Sequence, residues 1–264
     1  NVVLCDMPLE IQSSIVEYCF QHSIRSYIIP KITDIMLLGA EQIHLFDTPI
    51  LLLRNQGLDV EQVIVKRFMD LVISFFMLIL TSPLMLLIAL CIKAQDGGPV
   101  IYKQKRLTKD GKEFDIYKFR SMRTDSERSG ARLAQKGDRR VTPIGTIIRN
   151  LHFDELPQLF NILKGDMSLV GPRPERPEIA REYQNQVPEF EFRLKVKAGL
   201  TGYAQVYGKY NTTPEDKLKL DLFYIEHYTV WMDMKLLLLT FKILFQKENT
   251  EGIEQDQVTA SKRK

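Results

Sequence analysis

Lys66-Arg67-Phe68-Met-Asp70-Leu-Val-Ile-Ser74-Phe-Phe-Met-Leu-Ile79-Leu-Thr-Ser82-Pro83-Leu-Met-Leu-Leu-Ile-Ala-Leu-Cys91-Ile92-Lys93 is the stretch that sets the fold class. From Phe68 to Ile92 it is apolar apart from a few hydroxyls and one acid, Asp70. A helix of about 25 residues reaches roughly 37 Å, enough to cross hydrocarbon. Two features oppose a simple crossing. Pro83 removes a helix hydrogen bond and bends the chain, and Ser82 beside it can satisfy a freed backbone group. Basic residues flank both ends, Lys66 and Arg67 before, Lys93 and Lys103 to Arg106 after, and the positive-inside tendency then keeps both ends on one side. A broken, re-entrant helix, entering and leaving the same leaflet at Ser82-Pro83, satisfies both. A kinked core helix of a soluble protein is the alternative.

Upstream, residues 1–60 alternate short apolar runs with one helical period. Val2–Cys5, Ser26–Ile29, Ile43–Phe46 and Pro49–Leu53 read as strands, and Ile11–Cys19 as a helix. That suggests part of a parallel sheet with helical crossovers. No Gly-x-Gly-x-x-Gly fingerprint supports dinucleotide binding. The chain opens on Asn1 without a secretory leader pattern and reads as a piece whose natural N-terminus lies upstream.

Across the whole chain of 264 residues, 45% are hydrophobic, 26% are charged and the net charge is +3, which suits a packed core and argues against bulk nucleic-acid binding. Basic residues recur from Lys93 to Arg149, Lys103, Lys105, Arg106, Lys118 and Arg120 among them, a pattern suited to phosphates or an anionic membrane surface, with a solvated basic face as the alternative. Cys5, Cys19 and Cys91 lack disulfide or zinc spacing.

Downstream of the apolar run, Val100–Tyr102 and Glu113–Tyr117 read as strands around a Lys109-Asp-Gly111 turn. Lys118 and Arg120 lie two apart, so on a strand both would face one side and suit a diphosphate; a charged edge strand is the blander reading. Thr124–Lys136 is polar and reads as a surface helix-loop. Asp154 reads as the N-cap of a short helix that tolerates Pro157, with Glu155 in its first turn, a place for a phosphate. Arg173 sits between Pro172 and Pro174 on a stiff backbone. Lys197–Gly202, with two glycines and Thr201, reads as a tight loop. Lys217–Tyr228 and Met232–Phe245 read as helices. The second carries Lys235 and Lys242 on one face and a broad apolar surface near Trp231, the signature of an interfacial helix, with packing in a soluble core as the alternative. Residues 248–264 form a polar tail.

Phe153-Asp-Glu-Leu-Pro-Gln-Leu, Gly165-Asp-Met-Ser-Leu-Val-Gly-Pro-Arg-Pro-Glu and Tyr117-Lys-Phe-Arg-Ser-Met resemble the signature runs of the bacterial sugar transferases, the polyprenyl-phosphate hexose-1-phosphate or monotopic phosphoglycosyl transferases. The likeness extends from about Lys66 to about Lys247, with Ala198 where the family usually has proline.

It implies an α+β chain: a mainly helical catalytic domain with short strands over 95–247, a re-entrant membrane helix over 61–94, and the C-terminal part of a Rossmann-like domain over 1–60. It further implies transfer of sugar-1-phosphate from a UDP-sugar to polyprenyl phosphate, releasing UMP, with magnesium (Mg2+). On this reading Asp154 is the covalent nucleophile and Glu155 holds the metal. Lys118, Arg120, Arg149 and Arg173 stabilise the transferring group. The enzyme would sit on the cytoplasmic face of the bacterial inner membrane and bind no nucleic acid; self-association through the N-terminal region is left open. A membrane-anchored scaffold that has lost catalysis is the rival, and the intact Asp154-Glu155 pair opposes it.

Overall fold

The computed structural model describes residues 1–5, 7–53, 57–123, 140–209 and 212–244, with two compact units, Asn1–Leu53 and Arg54–Lys264. The expected Thr124–Lys136 helix-loop and the polar tail from 248 lie outside the described residues.

In the first unit, β1 (Val2–Leu4), α1 (Leu9–Gln21) and β2 (Ser26–Ile28) form a crossover that pairs the strands in parallel, Val2 opposite Ser26 and Leu4 opposite Ile28. After α2 (Ile32–Leu38), β3 (Glu41–Leu45) and β4 (Thr48–Leu52) pair antiparallel. The four expected strands are present, but the last two make a separate hairpin instead of extending the parallel pair. The reason is local: Phe46 takes a positive φ of 55°, which turns the chain back within two residues. The described residues therefore show one parallel pair with a helical crossover, and no wider parallel sheet.

The second unit begins with α3 (Val60–Asp96), a helix of 37 residues. Gln62 Oε1 accepts from the Asp59 N–H at its start, and Gly97, with φ of 68°, ends it. At 1.5 Å per residue it is about 55 Å long. The expected break at Ser82-Pro83 does not interrupt it. Pro83 cannot donate to the Ile79 carbonyl, and Ser82 Oγ donates there instead at 2.8 Å. The structure thus supplies the lost bond from the adjacent hydroxyl, and it shows one long helix without showing re-entry.

Most of the apolar surface of α3 faces outward, including Phe68, Phe76, Ile79, Leu80, Leu86 and Leu90. With Leu80 75% exposed, a buried core helix is a poor description. Its C-terminal half does pack inward, Ile88 and Ile92 joining Phe119 and Ile148, with Leu84, Phe153 and Leu156 around them.

Beyond α3, β5 (Ile101–Leu107) and β6 (Glu113–Phe119) form an antiparallel hairpin, Tyr102 opposite Lys118, around Asp110 and Gly111, both at positive φ. Helix α4 (Pro143–Asn150) starts at Thr142, whose Oγ1 accepts from the Gly145 N–H at 3.0 Å. A 3-10 turn, Phe153–Glu155, leads to α5 (Gln158–Lys164), closed by Gly165 at φ 99°. Strand β7 (Ser168–Val170) follows, then α6 (Pro177–Gln186) and a 3-10 segment, Pro188–Lys195. Strand β8 (Gly199–Thr201) pairs with β7 in parallel. Helices α7 (Tyr203–Tyr207), α8 (Pro214–Glu226) and α9 (Val230–Leu244) complete the unit.

The β7 and β8 segments press backbone to backbone. A Cβ on Gly199 would lie 2.1 Å from the Gly171 nitrogen, and one on Gly202 would lie 2.1 Å from the Gly171 oxygen. Only glycine fits, so the two glycine-bearing runs hold each other in place. Helix α9 buries Asp233 and Leu236 and turns Trp231, Lys235, Leu238, Phe241 and Lys242 outward, an apolar face edged with lysine.

Candidate active site

The 3-10 turn Phe153–Glu155 carries the two adjacent carboxylates. Asp154 is not the N-cap of α5. His152 takes φ 55°, the chain tightens into a 3-10 turn, and Pro157 stands at the start of α5. The N-cap reading of Asp154 therefore gives way to side-chain charges. The left-handed conformation at His152 is uncommon for a residue with a Cβ, and it turns the chain directly before the acids.

Glu155 is held from two sides. Lys118 Nζ donates to Glu155 Oε1 at 2.6 Å, and Arg173 Nη2 donates to the same oxygen at 3.1 Å. Burial alone would raise the Glu155 carboxyl; Lys118 and Arg173 override it and hold the group well below the usual carboxylate range. Asp154 has no hydrogen bond or ion pair among the described residues. Burial, with the neighbouring Glu155 charge, raises its carboxyl above the usual range, against the opposing pull of Lys118 and Arg149. Two acids side by side thus have opposite environments, one neutralised and one poised without a partner.

Each cation is placed by backbone ties. Asn161, fully buried on α5, accepts from the Tyr117 N–H at 2.9 Å and donates to the Asp115 carbonyl at 2.8 Å, which staples β6 and Lys118 to the helix after the acidic turn. Around Arg173, the Pro172 carbonyl accepts from the Gly199 N–H at 2.9 Å and the Pro174 carbonyl from Arg106 Nη1 at 3.0 Å. Glu175 pairs with Lys217 and with Arg193, and Arg193 Nε donates to Asp221 at 2.8 Å. Burial would raise Glu175; Lys217 and Arg193 bring it down to about 2.

Of the residues expected at the site, the structure brings together Asp154, Glu155, Lys118 and Arg173. Arg149, on α4, is near enough for its charge to lower Asp154 but makes no ion pair among the described residues. Arg120 is turned elsewhere: it pairs with Asp96 at the end of α3 and lies against Gly98, where an added Cβ would meet Nη1 at 2.1 Å. Strand β6 ends at Phe119, so the two-residue alternation that would align Lys118 with Arg120 has already stopped. Ser82 and Pro83 lie within α3. The sequence reading missed Asn161, Arg106, Glu175, Arg193, Lys217 and Asp221 as supports of the site; only Glu175 had a local signal, its place directly after Pro174.

As a metal site, the donors are few. No group of three or more His, Cys, Asp or Glu able to hold a metal occurs among the described residues. Asp154 and the second oxygen of Glu155 are free of protein donors, which fits a hard cation such as Mg2+ that takes one or two carboxylates and completes its shell from substrate phosphates and water.

The bacterial sugar transferase family model matches residues 61–247. The chain belongs to that family. Among its relatives is the UDP-N-acetylgalactosamine-undecaprenyl-phosphate N-acetylgalactosaminephosphotransferase of Aeromonas hydrophila, 43% identical over 183 residues that cover 68% of this chain and 43% of that protein. The UDP-glucose:undecaprenyl-phosphate glucose-1-phosphate transferase of Caulobacter vibrioides is 39% identical over 189 residues, 70% of this chain and 71% of the relative. A Bacillus subtilis protein described as a putative undecaprenyl-phosphate N-acetylgalactosaminyl 1-phosphate transferase is 50% identical over 130 residues, 49% of this chain and 73% of its own length. The chain spans less than half the length of the Aeromonas relative and of the Klebsiella pneumoniae glucose-1-phosphate transferase, 43% in each case. Within this bacterial sugar transferase, the acidic turn and both cations that meet Glu155 fall inside the matched segment.

Proposed function

We propose that this chain transfers sugar-1-phosphate from a UDP-sugar to polyprenyl (undecaprenyl) phosphate, releasing UMP, as the first membrane step of polysaccharide or glycoconjugate assembly. The observation that carries the reading is the acidic turn: Glu155 neutralised by Lys118 and Arg173, Asp154 beside it without a partner, and Phe153 and Leu156 packed around the core of an outwardly apolar helix. An anionic nucleophile, cations for a diphosphate and a membrane-seated element are thereby in one place.

In the first step an Asp154 carboxylate oxygen attacks the phosphorus that bears the sugar. The bond from that phosphorus to the bridging oxygen breaks, and UMP leaves with the electron pair. The sugar-phosphate remains on Asp154 as an acyl phosphate. In the second step an oxygen of polyprenyl phosphate attacks the same phosphorus, the bond to Asp154 breaks, and the carboxylate is restored with a lipid diphosphate sugar as product. Lys118 and Arg173 hold Glu155 and face the transferring group, and Arg149 offsets charge at Asp154. Mg2+, held by Glu155 and the donor's phosphates, would neutralise the diphosphate and favour departure of UMP.

The same reading places the chain on the inner face of the cytoplasmic membrane, with α3 entering and leaving one leaflet at Ser82-Pro83. The flanking charges Lys66, Arg67 and Lys93 support that topology. Residues 1–60 are read as the end of a Rossmann-like domain, supported by the parallel β1–β2 crossover.

The deciding experiment uses UDP-sugar alone. UMP release capped at one per chain, with labelled sugar-phosphate on the protein that polyprenyl phosphate discharges, is the expected result. UMP that appears only with the lipid present would reject the covalent route and recast Asp154 as a base or metal ligand.

A further inference from the structure

Helix α3 exposes apolar side chains along most of its length, yet Lys66, Asp70 and Ser74 are buried. Spaced by four, they share one helix face. An acid next to a hydrocarbon-facing surface is costly unless bonded. Asp70 Oδ1 accepts from the Leu169 N–H at 2.9 Å and from Ser168 Oγ at 3.1 Å. The other edge of β7 is already occupied: the Ser168 N–H donates to the Ala198 carbonyl and the Gly171 N–H to the Thr201 carbonyl. The Leu169 N–H points to the open edge of this two-stranded sheet, and Asp70 is what meets it. Four residues further on comes Arg173, one of the two cations on Glu155. Three residues before Asp70, Arg67 donates to the Ile162 and Leu163 carbonyls at the end of α5, the helix that follows the acidic turn. One face of the apolar helix thus holds both the helix behind Asp154-Glu155 and the strand that delivers Arg173.

We infer that Asp70 is a positioning residue for the transfer: it fixes β7, and through β7 it fixes Arg173 against Glu155. The inference rests on the function proposed above for its activity readout, and on geometry alone for its second readout. A helix that needed only to dock could bury leucine at this position; a carboxylate there instead bonds the strand edge.

The test is a double-mutant cycle on the full chain in detergent, reading UMP release, with hydrogen exchange over residues 168–175 read in parallel. Asp70→Ala is expected to lower kcat by about 10-fold or more, as a misplaced group of about 1 Å does. Asp70→Asn, which keeps an acceptor for the Leu169 N–H, stays within about 3-fold of the parent. In an Arg173→Ala background, Asp70→Ala is expected to cost less than about 2-fold. Exchange over 168–175, Leu169 above all, quickens in Asp70→Ala while α8 is unchanged. Asp70→Glu, which keeps the charge but displaces the carboxylate, runs the same cycle if the alanine variant does not fold. An equal loss in both backgrounds, full activity of Asp70→Ala, or unaltered exchange at 168–175 would overturn the role. An inactive parent chain would count against the proposed function, and the exchange result would still decide the place of Asp70.

Discussion

Glu155→Gln removes one charge and almost no volume at the point where two cations converge. Lys118 Nζ at 2.6 Å and Arg173 Nη2 at 3.1 Å share its Oε1, with side-chain exposure of 17% for Glu155, 20% for Lys118 and 44% for Arg173. A hydrogen bond to a charged group is worth about 1.5–3 kcal/mol and a neutral one about 1 kcal/mol. The Lys118 bond counts nearly in full; the Arg173 bond is discounted for solvent screening. Gln keeps one acceptor, so the net loss is about 2 kcal/mol, or roughly 4–8 °C in Tm for a unit of this size. The sign against pH follows from the depressed Glu155 carboxyl. Its stabilisation is complete above the ordinary glutamate range and is lost as pH falls through the much lower folded value. The Tm gap between parent and variant should be constant from pH 6 to 8 and narrow only in acid. Activity should fall further than stability, about 100- to 1,000-fold, because two preorganised cations and the proposed metal ligand are disturbed together. Fluorescence of Trp231 in detergent follows unfolding, and UMP release follows turnover with Mg2+ titrated in each case. A variant that loses the stability but keeps activity within about 10-fold would show that Glu155 only ties β6 to the Arg173 loop, and the reasoning would fail.

Asp154→Asn should abolish trapping and turnover without lowering Tm. The Asp154 carboxyl is raised in the folded state, so its contribution is favourable below the ordinary aspartate range and is lost as pH rises through the folded value, leaving an ionised Asp154 a cost at neutral pH; a marked fall in Tm would contradict this. For the same reason the acid limb of kcat/KM should lie above the ordinary aspartate value and move down in Glu155→Gln, which a pH profile of both proteins checks. Arg120→Ala should lower Tm through loss of its Asp96 pair and leave the donor KM within about 3-fold, whereas Lys118→Ala should raise the donor KM by about 10-fold or more; equal effects on KM would return Arg120 to the donor site. Single cysteines before Lys66 and after Lys93, in a chain freed of its native cysteines, should both react from the cytoplasmic side, and labelling of either from the far side would exclude re-entry.

What the sequence made legible was mostly local. The length of the apolar run located α3 and the Lys109-Asp-Gly111 turn located the β5–β6 hairpin, because each signal and its consequence lie within a few residues. The same locality explains the misreadings. An N-cap and a 3-10 turn draw on the same short polar residues, and the left-handed His152 that separates them has no marker in the sequence. Alternation predicted a shared face for Lys118 and Arg120, but the strand stops between them. The supports of Arg173 were out of reach: Glu175 meets Lys217, 42 positions on, and Arg106 meets Pro174, 68 positions on. Asp70 stood out as the one acid in an apolar run, yet its partners lie 98 and 99 positions away and depend on which edge of β7 is open.

On the proposed mechanism, the arrangement that results gives adjacent acids separate tasks. A nucleophile with a cation on it would be quenched, and a metal ligand without neutralisation would repel a diphosphate. Spending both Lys118 and Arg173 on one oxygen of Glu155 leaves Asp154 unpaired and Glu155 ionised, with its second oxygen open. The charges are in place before any substrate arrives, so little reorganisation would be required for the proposed attack. The α3 helix is the common reference for both: its C-terminal half packs around Phe153 and Leu156 on either side of the acids, and its polar face reaches the strand that leads to Arg173. With Asp70 holding β7 as inferred above, a disturbance of α3 would change the distance between Arg173 and Glu155.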